Sequence, residues 1–181
     1  MYPIQRKKLG IIVKDVGPSE LTFNILKHGT DHSDVIDTVL FFEKIAKPCI
    51  DNLVARMHVV EAYNYDGPII ATCLNTAQLL INMPSPNPKF FFVNDLEWLY
   101  MKERNFHLLS SIYRHPSLTL LCRSKYHQSF IENCWNVSVK AIVDRYHFYT
   151  PKLLSLFTES SKSLYPKNSD PITLNTKSLS L

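Results

Sequence analysis

Six short apolar runs restrict most tightly what this chain can fold into: "LGIIVK" (9–14), "DTVLFFE" (37–43), "PIIAT" (68–72), "KFFFV" (89–93), "LTLLC" (118–122) and "VKAIVD" (139–144). Each is too short for a core helix. Each is rich in Ile, Val, Leu and Phe without polar alternation, as a strand covered on both faces requires. Stretches of helical spacing lie between them. Asp51 to Tyr63 puts Leu53, Met57 and Val60 on one face, and Asn75 to Met83 opens on an Asn cap with Gln78 three residues later. Leu96 to Arg114 carries Trp98, Met101, Leu109, Ile112 and Tyr113 and stops before Pro116; Ser124 to Trp135 follows a Ser cap. Strand and helix in alternation predict an α/β fold: a single Rossmann-like domain, its sheet mostly parallel, with helices on both faces. Right-handed crossovers gather strand ends and helix starts along one edge, where such folds bind ligands.

The alternation stops near Tyr149, which sets a domain over 1–150 and a C-terminal extension over 151–181. The extension is rich in Ser, Thr, Lys and Pro. Leu153 to Phe157 is its one candidate for a docking helix, and the stretch beyond about Tyr165 is expected to be flexible and dispensable. With 181 residues, 45% hydrophobic and 20% charged, the chain suits one globular domain with a core of its own. A formal charge of +4 is well short of the clustered basicity of a dedicated nucleic-acid binder, so nucleic acid is a weakly supported partner. No run reaches the ~18 apolar residues of a membrane span. The basic start "MYPIQRKKLGIIVK" reads as a first strand rather than a signal peptide, which places the chain in a reducing cytoplasm. Cys49, Cys73, Cys122 and Cys134 form no Cys-x-x-Cys pair, and free thiols are expected. No His/Cys cluster is present, so no metal is expected.

Chemistry-bearing residues gather at the strand ends. The first strand runs into "KDVGPSEL", a Gly-Pro turn where Gly17 and Ser19 would meet a phosphate or sugar ahead of a helix. One glycine does not make a dinucleotide cradle, and the P-loop Gly-Lys-Ser/Thr is missing. The next three strand ends offer Thr72, Cys73 and Asn75; then Asn94, Asp95 and Glu97; then Arg123, Ser124 and His127. A carboxylate at Glu97 or Asp95 with His127 close by could do general acid–base work. Each residue also has a structural reading: Asp95, Ser124 and Asn75 as helix caps, Arg123 as a partner for Asp95. Trp98 and Trp135 fall on apolar helix faces and are expected in the core.

The stretch "EAYNYDGPIIATCLNTAQLLINMPSPNPKFFFVNDLEWLY", followed by "LTLLCRSKYHQSFIENCWNVSVKAIVDRYH", resembles short glycosyltransferase-like proteins of tailed phages, cyanophages especially. The matching residues are Asp66, Gly67, Pro68, Ala71 and Thr72; Leu96, Glu97 and Trp98; and Arg123, Ser124, His127, Ile131, Glu132, Cys134, Trp135 and Asn136. The resemblance spans about residues 9 to 147 and extends to the N-terminal, acceptor-binding domain of GT-B glycosyltransferases. In those enzymes a strand, a serine, a helix and a further strand lead out to a donor domain. It implies sugar transfer from a nucleotide-sugar donor to phage DNA or another polymer acceptor, in the host cytoplasm. Glu97 or Asp95 would be the base, and Arg123 with the helix start at Ser124 would steady phosphate. No second Rossmann-like domain follows Tyr149, so a homo-oligomer or a partner protein is expected to supply the donor side. The alternative it leaves is a non-catalytic interaction module that keeps the fold.

Overall fold

The computed structural model describes residues 6–45, 53–101 and 105–162. Among them the chain runs β1 (Lys7–Val16), α1 (Glu20–Asp31), β2 (Ile36–Ile45), β3 (Ala55–His58), β4 (Ile69–Ala71), α2 (Leu74–Asn82), β5 (Lys89–Val93), α3 (Phe106–Tyr113), β6 (Leu118–Cys122), α4 (Lys125–Trp135), β7 (Val139–Ile142) and α5 (Pro151–Lys162). Single 3₁₀ segments sit at Val59–Asn64, Glu97–Leu99 and Asp144–Tyr146. The seven strands form one parallel sheet in the order β3-β2-β1-β4-β5-β6-β7. This is the expected Rossmann-like α/β domain, with β5 and β6 at the residues read from the sequence.

Both faces of the sheet are covered, which explains the unbroken apolar runs. On one face Phe91 and Val93 of β5 lie with Ala77 and Leu80 of α2, Leu109 and Ile112 of α3, and Ile131 and Trp135 of α4. On the other, Phe90 and Phe92 lie with Ile25 and Leu26 of α1 and Leu153 and Phe157 of α5. Trp98 and Trp135 are core residues, as expected, meeting edge-to-face at 5.6 Å. Among the described residues no helix is long and apolar enough to cross a membrane.

Four expectations change. The helix expected over Asp51 to Tyr63 is an edge strand followed by a 3₁₀ turn, with Leu53, Met57 and Val60 exposed rather than buried; Asp51 and Asn52 lie outside the described residues. An i, i+4, i+7 apolar stripe fits a helix face, but here tertiary pairing with β2 draws the segment into the sheet. The single helix expected over Leu96 to Arg114 is a 3₁₀ turn and a separate α3, whose cap is Asn105: its side chain accepts from Leu108 N at 3.0 Å. Asn75 is not the α2 cap. Cys73 holds that place, and the Thr76 hydroxyl accepts from the amides of Thr72 and Cys73 at 3.1 and 3.0 Å. The docking helix expected at Leu153 to Phe157 is longer, filling Pro151–Lys162, with Leu153 and Phe157 buried against the domain. The stretch expected to be flexible lies outside the described residues.

The family-like motifs have structural work to do. Asp66 accepts from Lys8 Nζ at 2.6 and 2.8 Å, and the Thr72 hydroxyl donates to Ile12 O at 2.8 Å, so "DGPIIAT" ties β4 to β1 at both ends. Gly67 sits where a Cβ would come within 2.8 Å of the Tyr65 ring and 2.9 Å of Lys8 Cβ. Gly67→Ala is therefore expected to destabilise by about 1–3 kcal/mol through overpacking, read as a lower urea midpoint. In "IENCWN", Glu132 accepts from Val139 N at 3.0 Å, Trp135 fills the core and Asn136 takes the left-handed conformation (φ 51°) that ends α4.

Candidate functional site

Strand β1 pairs with β2 on one side and β4 on the other, so the sheet's order of connection reverses between β1 and β4. Chains leaving neighbouring strands there diverge and open a crevice beyond the strand ends. A cleft of about 380 Å³ occupies that position, lined by the end of β1, the Gly17-Pro18-Ser19 turn, the start of α1, Thr72 and Cys73 after β4, and Asn94, Asp95 and Glu97 after β5. Six of the ten residues expected at the site, Gly17, Ser19, Thr72, Asn94, Asp95 and Glu97, share this one cleft.

The helix starts are held in place by their own side chains. Ser19 Oγ accepts from Thr22 N at 3.1 Å and is paired with the Thr22 hydroxyl at 2.9 Å, which fixes the first turn of α1 beside the cleft. Thr72 is buried and holds the β4 end to β1. Neither hydroxyl is idle, so each shapes the wall more than it offers a free donor.

The two carboxylates differ in surroundings. Asp95 is exposed, and its Oδ1 accepts from Leu96 N at 2.8 Å. It is not the cap of a long helix, because only a 3₁₀ turn follows. Glu97 is half-buried and reaches across to α2, its Oε1 and Oε2 accepting from Leu74 N at 3.2 and 3.4 Å. Burial pushes the Glu97 carboxyl above its ordinary value and the charge of Asp95 pushes the same way; the Leu74 hydrogen bond and Lys14 pull against them. A carboxylate that is desolvated yet open to a cleft has the environment of a general base.

The residues after β6 stand one strand further out and do not line the cleft. Arg123 makes no ion pair with Asp95 among the described residues; its Nη1 lies 3.5 Å from Asn94 O, toward which it donates. Ser124 caps α4 as expected, accepting from His127 N at 3.2 Å and meeting His127 Nδ1 at 2.8 Å. Burial and Arg123 lower the His127 pKa, while Asp95 acts against them. Asn75 is elsewhere: it lines a separate cleft on the outer side of α2 with Tyr63, Gln78, Leu79 and Asn82.

Sequence reasoning passed over two charged wall residues, Lys14 and Asp15. They stand in "KDVGPSEL", and their place at the end of the first strand was the signal. It also expected no His-x-x-x-His pair and placed His32 and His147 at surfaces or ends, whereas His28 and His32 are such a pair, spaced i, i+4 at the end of α1. His147 meets them at ring-centroid distances of 4.7 and 5.3 Å, and Tyr149 stacks on His32 at 5.1 Å. Among the described residues no group of three His, Cys, Asp or Glu side chains is arranged to hold a metal ion, this trio included. Of the thiols, Cys122 is buried, Cys73 half-buried and Cys134 exposed; all three are free, and Cys49 lies outside the described residues. Comparison with protein-family models, curated proteins and solved structures gave no match.

Proposed function

We propose that this chain is the acceptor-side domain of a glycosyl-transfer system of phage origin, working in the host cytoplasm with the donor side supplied by a second subunit or a partner. The observation that carries the reading is the Glu97 carboxylate: half-buried, raised in pKa by that burial, and set in the cleft at the reversal point of a parallel sheet. In the proposed reaction an acceptor hydroxyl enters beside Glu97, which removes its proton as the oxygen attacks the sugar's anomeric carbon; the nucleoside diphosphate leaves with the bonding electron pair. Lys14 on the cleft wall and Arg123, which donates toward Asn94 O, would steady the leaving group's negative charge. The succession of β6, Ser124, α4 and β7 supports the reading, because it follows the acceptor-domain layout that the sequence resembles.

A panel of UDP-, GDP- and dTDP-sugars, each with phage DNA and with polysaccharide acceptors, tests this on the full chain when an extract of infected cells supplies the donor side. The expected result is labelled sugar in the polymer and a ligand-dependent rise in Tm. Absence of both responses across the panel would overturn the proposal. It would favour the second reading, a non-catalytic interaction module. That reading has its own support in the exposed side chains Leu99, Tyr100, Met101, Phe106, Leu108 and Tyr126 after β5 and at the starts of α3 and α4.

A further inference from the structure

Helix α2 presents an unusual outer face. Its sequence, "LNTAQLLIN", contains no charged residue, although exposed helix surfaces are normally charged. Leu74, Ala77 and Leu80 enter the core, while Asn75, Gln78 and Asn82, spaced i, i+3 and i+7, are exposed along the other side. None of the three amide side chains has a partner among the described residues. They border a cleft of about 310 Å³ whose remaining walls are Tyr63, 43% exposed, and half-buried Leu79.

We propose that this cleft is a binding site for a neutral saccharide. Each carboxamide offers two N–H donors and a carbonyl acceptor, the complement of adjacent sugar hydroxyls that both donate and accept. Tyr63 and Leu79 give the apolar surface on which the C–H face of a pyranose rests. The absence of charge sets the ligand class. Among the described residues that line the cleft there is no cation to draw a phosphate, sulfate or carboxylate, and no anion to draw an amine. A single-stranded nucleic acid could stack on Tyr63, but its backbone needs Lys or Arg at the site, and the cleft wall has none. The site stands apart from Glu97 and does not depend on the transfer reading; if that reading holds, it would seat a part of a glycan remote from the reacting hydroxyl.

The test is binding of the full chain to immobilised neutral oligosaccharides built from glucose, galactose, mannose and N-acetylglucosamine, with sulfated and sialylated counterparts and a short single-stranded oligonucleotide alongside. Retention of at least one neutral oligosaccharide is expected, weakened roughly tenfold by Tyr63→Ala, by Gln78→Ala and by Asn82→Ala, and unchanged by Phe23→Ala at an exposed side chain of α1. All three substituted side chains of the cleft are exposed, so each variant should fold with an unchanged Tm. Failure to retain any neutral oligosaccharide, preference for the charged glycans or the oligonucleotide, or retention untouched by the Tyr63 and Asn82 changes would each overturn the proposal. Because the readout is binding rather than turnover, its failure is separable from failure of the transfer reading.

Discussion

Replacing Phe92 by alanine should cost about 3–5 kcal/mol of folding stability, a large part of the ~5–15 kcal/mol that holds a domain of this kind together. Phe92 is fully buried near the end of β5, an interior strand with neighbours on both sides. Its ring meets Phe148 edge-on at 5.1 Å and Tyr146 at 6.0 Å. Truncation would therefore remove apolar area and leave a cavity between the sheet and the segment leading into α5. That segment is already held in a costly shape: Arg145 and Tyr146 both take positive φ, at 45° and 60°, which non-glycine residues seldom do. Contacts such as Phe92–Tyr146 must outweigh that cost. Urea unfolding should show a lowered midpoint at nearly constant slope. Phe23→Ala, at a side chain 42% exposed on α1, should stay within about 0.5 kcal/mol of the parent and serves as the control. A Phe92→Ala loss as small as the control's would mean that β5 is not a core strand.

Glu97→Gln should lower sugar transfer by about 10²–10⁴-fold, the usual contribution of a general base, while the fold stays intact. The amide oxygen can still accept from Leu74 N, so the helix start keeps its hydrogen bond and only the proton acceptor is lost. Stability should move in the opposite direction to activity. A carboxyl whose folded-state pKa is raised contributes stability fully below its unfolded pKa and loses it as pH rises through the folded value. At neutral pH the ionised Glu97 is thus a burden that glutamine does not carry. Glu97→Gln is expected to melt slightly higher than the parent at pH 7, with the difference closing below about pH 4. Lost transfer with a raised Tm separates a functional carboxylate from a structural one. A variant with unchanged transfer would leave Glu97 as nothing more than an acceptor for the Leu74 amide at the start of α2.

How far the sequence could be read follows from how many physical explanations each pattern allows. "KFFFV" and "LTLLC" allow one: five residues of such bulk and so little polarity must be covered on both faces, and both strands are where the runs put them. The segment before Tyr63 allowed two, because Leu53, Met57 and Val60 have helical spacing whether they face a core or solvent. The chain uses them exposed, Met57 within an edge strand and Leu53 and Val60 on either side of it. Cap identity was ambiguous in the same way. Asn75 suits an N-cap by type, but Thr76 placed one residue later captures two backbone amides and moves the helix start back to Cys73. The site was legible as an edge and not as a set of distances. Strand order brought Gly17, Ser19, Thr72, Asn94, Asp95 and Glu97 together, whereas the direction of Asn75 turned on a register of one residue, Lys14 was hidden in a run already assigned to strand, and Asp15 stood at the head of a turn read for its Gly and Ser. The reach of Glu97 across to Leu74 is a tertiary contact, which no local pattern encodes.

The place of α5 has a consequence for how the protein is made. Phe157, near the C-terminal end of the described chain, rests edge-on against Phe90 at 4.8 Å and helps to close one whole face of the sheet. A ribosome delivers the strands in order, so Ile70 and Phe90 emerge well before the helix that covers them. Until that helix is free of the exit tunnel, the nascent sheet carries an oily, uncovered side, the kind of surface that chaperones hold and that stalled chains use to aggregate. Completion of this face is thereby tied to the delivery of α5, and a chain cut short before it is marked for disposal by its own exposed aromatics.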